Sequence, residues 1–377
     1  MSKIPAGGRA TAIQLAVLVL VVAAIYGAVS NAAGNLARQG TASGFGFLEV
    51  AAGFDIIMHL IDYDERASYG TVFVVGLINT LVLSAFGIVL ATVLGFVIGI
   101  ARLSGNWLVA RLAGLYIEIF RNIPVLLQIF FWYFAVLRAL PGPRGSLELF
   151  GLFFLNNRGF YGPRPVFEGG EGLGLTALVL VVAVVFWLRR RPGKGVFRSV
   201  PLNLALIVGL PLAVAVAAGF LVQFDLPVAH RFGLKGGMVI IPEFAAMVIA
   251  LTIYGAAYIA EIVRAGIAGV DRGQVEAAKA LGLRPHDRMR RVIIPQALRI
   301  IIPPLTSQYL DLIKNTTLAT AIAFPDLMSV FGGTVLNQTG QAIEVLAITM
   351  AVYLTVSLSI SAAMNLYNAR VNGRRAR

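Results

Sequence analysis

Residues 269–300 read GVDRGQVEAAKALGLRPHDRMRRVIIPQALRI, and this stretch is punctuated as two short helices joined by a tight turn. Asp271 is a strong N-cap residue, and Gln274 three positions later completes a capping-box-like pair. The helix is predicted to run through Val275, Glu276, Ala277, Ala278 and Leu281. Gly282 then supplies the left-handed residue that stops it. Pro285 suits the first turn of a second helix, where its missing N–H removes no bond. That helix carries Arg288, Arg290 and Arg291 up to Pro295. A helix of about ten residues is marginal alone, so the first one needs a surface to lie on.

What surrounds this stretch is a membrane protein. Among 377 residues, 58% are hydrophobic and only 13% charged, with mean hydropathy +0.83. Globular chains carry roughly 25% charged residues, so a soluble fold is excluded. With no Cys there is no disulfide, thiol nucleophile or Cys-based metal site to consider. A bilayer core needs about 20 apolar residues in a helix. Eight predominantly apolar runs approach that length, at 12–30, 72–101, 108–137, 174–188, 201–222, 244–263, 303–325 and 345–366. The shortest, 174–188, ends in Trp187 followed by Arg189, Arg190 and Arg191, an interfacial aromatic and a stop at the headgroups. The first run follows a basic start and resembles a secretory signal, but it is longer than the roughly 7–15 residues of a signal core and is expected to stay as a membrane helix.

The net charge of +13 is topogenic. Placing the N-terminus in the cytoplasm puts twenty-one of the 31 Lys and Arg residues in cytoplasmic segments and eight outside, with Arg121 and Lys314 in or beside apolar runs. The positive-inside rule therefore predicts eight spans with both termini cytoplasmic. Segments 189–198 and 270–299 fall inside, 138–173 and 223–243 outside. A nucleic-acid surface is set aside, because no basic stripe with interleaved aromatics exists. GLGLTA at 172–177 lacks a preceding strand, and PGKGV at 192–196 lacks most of a phosphate-binding loop. His59, His230 and His286 lie in three separate loops, without metal-ligand spacing. Gly87, Ala91, Gly95 and Gly99 put a small residue at every fourth position of the second run, a surface for close helix packing.

The residues of the opening stretch also carry a family resemblance. Glu276-Ala277-Ala278, three residues, Gly282, nine residues and then Val292-Ile293-Ile294-Pro295 resemble the EAA loop of ABC importer permeases. Ala257-Tyr258-Ile259-Ala260-Glu261 with Arg264, Phe120-Arg121-Asn122-Ile123-Pro124 with Gln128, and Leu312-Ile313-Lys314-Asn315-Thr316-Thr317-Leu318 are similar to the polar amino-acid branch of that family. The resemblance implies an all-α, polytopic helical bundle of the type I importer permease class. It implies residues 1–70 as an N-terminal membrane helix and external segment, 71–137 and 244–368 as two parts of a permease core, 138–243 as an insert with two extra spans, and 369–377 as a basic cytoplasmic tail. The larger general L-amino-acid and glutamate/glutamine/aspartate/asparagine permeases have such an extension.

Function follows as an expectation: a transmembrane subunit of an ATP-driven importer of L-amino acids in the bacterial inner membrane. Glu276, Ala277, Ala278, Leu281 and Gly282 would seat in a groove of a separate ATPase, with Ala277, Ala278 and Leu281 exposed and Glu276 making the polar contact. ATP and Mg would be bound by that ATPase, and no cofactor by this chain. The other implied partners are a second permease subunit, sister or identical, and an external amino-acid-binding protein. Ionisable groups in apolar runs usually face a bundle interior or wet cavity, which nominates Arg121, Asn122 and Gln128, and Lys314, Asn315 and Thr316, for the substrate path. Local pairs Glu118–Arg121, Glu261–Arg264 and Asp311–Lys314 are the structural alternative. A secondary transporter or channel would share the spans and buried charges, but two halves with matching interrupted helices are not seen in the sequence.

Overall fold

The computed structural model describes residues 8–38, 44–167, 222–230 and 233–373. The expected span at 174–188, that at 201–222 except for Val222, Trp187 and the basic segment 189–198 lie outside the described residues. The chain divides into two compact units, one of residues 1–126 and 247–377 and the other of residues 127–246.

In the first unit, α1 (Gly8–Arg38) precedes a short segment that enters the longest helix, α2 (Tyr69–Arg102). Ser68 caps α2 by accepting the Thr71 N–H. The small-residue face of α2 lies against α5 (Pro242–Ala268). A Cβ on Gly95 would stand 2.7 Å from Ile259, and one on Gly99 2.7 Å from the Ala260 carbonyl. Only glycine lets these backbones come so close. Residues 44–68, assigned from sequence to an external segment, contribute Phe47, Ala52, Ile56 and Tyr63 to one buried cluster with Val72, Val75, Leu327 and Phe331.

The run at 108–137 is not one continuous helix. It splits into α3 (Trp107–Asn122) and α4 (Val125–Phe130), the latter continued by a π turn over Phe131–Leu137. Pro124 is the cause, because its ring pushes the preceding residue out of the helical region, and Ile123 is indeed extended at φ −94° and ψ 125°. The run at 303–325 is corrected as well. Helix α8 spans Ile294–Asn315 with Pro303 and Pro304 inside it, then tightens into a 3-10 turn over Thr316–Ile322. A left-handed Ala323 ends that turn, and a π segment Met328–Val335, a short α9 (Leu336–Thr339) and α10 (Ala342–Gly373) complete the unit. Among the described residues three helices are long and apolar enough to cross a bilayer by themselves, α2, α5 and the Ala342–Asn368 part of α10, with a fourth if the proline-broken pair counts as one. Of the eight expected runs, 108–137 and 303–325 are divided by prolines or tight turns, while 174–188 and nearly all of 201–222 are not among the described residues.

The second unit holds strands that an all-helical expectation leaves out, although the chain as a whole is mostly helical. Strands β1 (Leu147–Leu149), β2 (Phe153–Asn156), β3 (Gly159–Gly162) and β8 (Met238–Ile240) form an antiparallel sheet in the order β1-β2-β3-β8. Two further antiparallel pairs accompany it, β4 (Arg164–Phe167) with β5 (Val222–Asp225), and β6 (Val228–His230) with β7 (Gly233–Lys235). The Gly- and Pro-rich composition that reads as loop is turn chemistry between very short strands.

Candidate coupling loop and membrane path

Helix α6 (Arg272–Ala280) is closed at both ends by its own residues. Asp271 Oδ1 accepts the Gln274 N–H at 3.2 Å, and a Cβ on Gly273 would stand 2.9 Å from that carboxylate oxygen, so glycine keeps room for the cap. At the other end Gly282 has φ +71°, its N–H donates to the Lys279 carbonyl at 2.9 Å, and the Leu283 N–H donates to the Ala278 carbonyl at 3.1 Å. This is a Schellman motif, which satisfies carbonyls that would otherwise end in water. An added Cβ at Gly282 meets nothing within 4 Å, so glycine is needed there for its backbone, not for space.

The following turn begins with Pro285 at the start of α7 (Pro285–Arg288), widens into a π segment over Met289–Ile293, and runs straight into α8. Pro295 explains the widening: it has no N–H for the carbonyl four residues back, and its ring crowds that carbonyl. Helix α6 lies against this turn, and Asp287 pairs with Arg291 at 3.2 Å within it. One expected contact residue is corrected. Ala278 is only 4% exposed, whereas Leu281 is 80% exposed and Glu276 and Ala277 stand open. Positions 277 and 281 share a stripe at i, i+4, while 278 is turned about 100° from 277 onto the protein. The free face is therefore Glu276, Ala277 and Leu281.

Within the apolar helices the ionisable residues separate into paired and unpaired groups. Glu261 and Arg264 form a two-pronged ion pair at 2.8 and 2.6 Å, the local alternative raised by their spacing. The other two pairs do not form among the described residues. The Glu118 carbonyl instead accepts Asn122 Nδ2 at 2.6 Å, which closes α3. Arg121 turns its guanidinium over the Tyr258 ring at 5.1 Å, and the Tyr258 hydroxyl donates to the Arg121 carbonyl at 3.4 Å. Tyr258 packs at a tilt against Tyr254 with centroids 4.8 Å apart, and Leu312, the neighbour of Asp311, lies against Gly255, the residue after Tyr254. A strip of Arg121, Tyr258, Tyr254 and Asp311 thus crosses α3, α5 and α8. Arg121, Asn122, Asp311 and Lys314 are open on the chain, and Asn315 is half-buried.

Two path candidates are buried in the chain. Thr316 is fully buried and donates to the Ile313 carbonyl at 2.7 Å, so its hydroxyl serves its own turn. Gln128 is also buried and belongs to the second unit. Sequence reasoning did not name Tyr254 and quoted Tyr258 only within a family-like stretch, although an aromatic pair at i, i+4 in an apolar helix was a usable signal. It also passed over Asn79 and Thr80. Asn79 Nδ2 donates to the Met58 and Pro325 carbonyls, both at 2.8 Å, and the Thr80 hydroxyl accepts the Leu327 N–H at 2.9 Å. Those bonds hold the irregular turn after Ala323, where Asp326 Oδ1 accepts the Ser329 N–H.

A short helix closed at both ends, with one open face, thus joins apolar helices of a membrane protein, and comparison shows that the chain is a membrane transport component. Residues 87–373 match the model of the binding-protein-dependent transport system inner membrane component family, and the chain belongs to that family. It is 52% identical to the putative amino-acid ABC transporter permease protein YhdX of Escherichia coli strain K12, over 96% of this chain and 94% of that one. It is 50% identical to the general L-amino acid transport system permease protein AapQ of Rhizobium johnstonii, over 95% and 91%. The glutamate/glutamine/aspartate/asparagine transport system permease protein BztB of Rhodobacter capsulatus is 40% identical over 96% and 93%. Among solved structures, a crystal structure of an amino acid ABC transporter with histidines is 24% identical, covering 80% of this chain and 95% of that one at a TM-score of 0.49.

Proposed function

We propose that this chain is the permease subunit of an ATP-driven importer of L-amino acids, moving substrate by alternating access under the force of a separate ATPase. The observation that carries the reading is the free face of α6, Glu276, Ala277 and Leu281, on a helix whose ends are fully closed. An apolar side chain as open as Leu281, on a helix too short to stand alone, suits insertion into a partner's groove. The names of the relatives over nearly the whole chain support amino acids as cargo.

ATP and Mg belong to the ATPase, and this chain hydrolyses nothing. Closure of two ATPase subunits would drive α6 and the turn after it, and through the unbroken run from α7 into α8 reach the segment holding Asp311 and Lys314. In the path itself, Arg121 would attract the substrate carboxylate and Asp311 its ammonium group, with Tyr254 and Tyr258 between them as an apolar floor. Lys314 and Asn315 would border the same path. A second permease subunit would close the open side, and an external binding protein would deliver substrate to the face opposite α6.

Copurification tests the reading. The tagged chain extracted from native membranes in mild detergent should bring down an ATPase, and the reconstituted assembly should hydrolyse ATP faster when an amino-acid-loaded binding protein is present. A chain that catalyses uptake in vesicles without ATPase or ATP would refute it.

A further inference from the structure

Gly142, Pro143, Arg144, Gly145 and Arg158 surround an open depression of about 440 Å³ in the second unit. Its two arginines stand on separate turns, Arg144 in the 3-10 turn Pro143–Gly145 and Arg158 between β2 and β3. One buried side chain clamps both turns. Asn156, 1% exposed, donates from Nδ2 to Ser146 Oγ at 2.9 Å and accepts the Arg158 N–H at Oδ1 at 2.8 Å. Ser146 Oγ donates onward to the Pro143 carbonyl at 2.8 Å, and the Asn157 N–H donates to the Pro141 carbonyl at 3.0 Å. The rim is therefore held in place before any ligand arrives. No acidic residue lines it, and neither guanidinium has an ion-pair partner among the described residues. Two uncompensated guanidinium groups on a fixed rim suit an anion with several oxygens, because each presents a planar fork of donors.

The position of the rim selects which anion. The π turn ending at Leu137 feeds directly into it, and Gly159, beside Arg158, lies against the Ile240 carbonyl just before α5 begins at Pro242. The depression therefore adjoins the ends of two apolar helical segments, where the expected topology puts the lipid headgroups. Leu147, one residue past Ser146, is 53% exposed beside it, an apolar surface next to the charged one. We propose that Arg144 and Arg158 hold the phosphate of an anionic phospholipid in the leaflet on the insert's side. The site shares no residue with the coupling loop, and its failure would leave the transport reading untouched.

The test uses the full-length chain in nanodiscs of phosphatidylcholine with a minor share of phosphatidylglycerol. Phosphatidylglycerol still bound after detergent extraction is measured by mass spectrometry. Replacing charge-assisted bonds should lower retained phosphatidylglycerol about tenfold in the Arg144→Gln, Arg158→Gln pair. The Arg144→Lys, Arg158→Lys pair should retain an intermediate amount, and Arg66→Gln, outside the site, should match the wild type. Wild-type retention in the Gln pair overturns the proposal. Displacement of the lipid by millimolar inorganic phosphate overturns the lipid assignment in favour of free phosphate. Unchanged lipid with weakened capture of the purified external binding protein overturns it in favour of a protein carboxylate. Should the Gln pair not assemble, wild-type retention in the Lys pair is the result that rejects it.

Discussion

At Gly282 one backbone angle controls the shape of the coupling loop. Its φ of +71° ends α6 and aims the chain toward Pro285. A β-branched residue in that region costs roughly 1–2 kcal/mol, enough to favour a different turn. Gly282→Val should therefore reduce uptake roughly tenfold while the assembly still forms and still hydrolyses ATP, and Gly282→Asn, which tolerates the left-handed region, should keep most of it. Transport and ATPase assays on the same reconstituted samples make the comparison, and full uptake by the Val variant would sink the argument. A second prediction concerns charge. Arg121→Gln and Lys314→Gln preserve hydrogen bonding but remove the cation, so uptake should fall while basal ATPase activity persists. Glu118 and Asp311 are not ion-paired with them among the described residues, so both variants should assemble. If neither assembles, the two cations are structural and leave the path.

At the scale of elements, the contact between α2 and α5 is legible from sequence because its cause is periodic. Gly87, Ala91, Gly95 and Gly99 recur on one face, and that face meets Leu251, Ile259 and Val263. The glycines are not equivalent. A Cβ at Gly95 would collide with Ile259 and come within 3.0 Å of the Ala256 carbonyl, whereas one at Gly87 would sit at an ordinary 3.6 Å from Leu251. Gly95→Val should lower the thermal midpoint of the purified chain, reflecting about 1–3 kcal/mol of overpacking, and Gly87→Ala should not. Equal effects would mean that packing along this face is not what the glycines protect. The caps of α6 were legible for the same reason, since Asp271, Gln274, Gly282 and Pro285 act on their own neighbours. The burial of Ala278 and Thr316 was not, because each depends on a surface brought in by tertiary structure. Hydropathy alone also joined α3 to α4 across Pro124, although the proline itself marked the break.

For the molecule as a whole, apolar content and the distribution of Lys and Arg established a membrane protein, but they could not place strands in the second unit. Strands of three or four residues leave too little alternation to read, and their pairing joins β3 to β8 across most of the insert. Orientation is the property on which every functional step depends, because α6 can meet an ATPase only in the cytoplasm. The chain contains no Cys, so a single one can be introduced at Ala280, an exposed position at the end of α6. A second can be placed at Gly145, exposed in the insert on the expected opposite side. In intact cells a membrane-impermeant maleimide should label Gly145→Cys and spare Ala280→Cys, and both should react after the membrane is opened. Labelling of Ala280→Cys from outside intact cells would invert the topology, put α6 beyond reach of ATP, and leave the coupling reading without a physical basis.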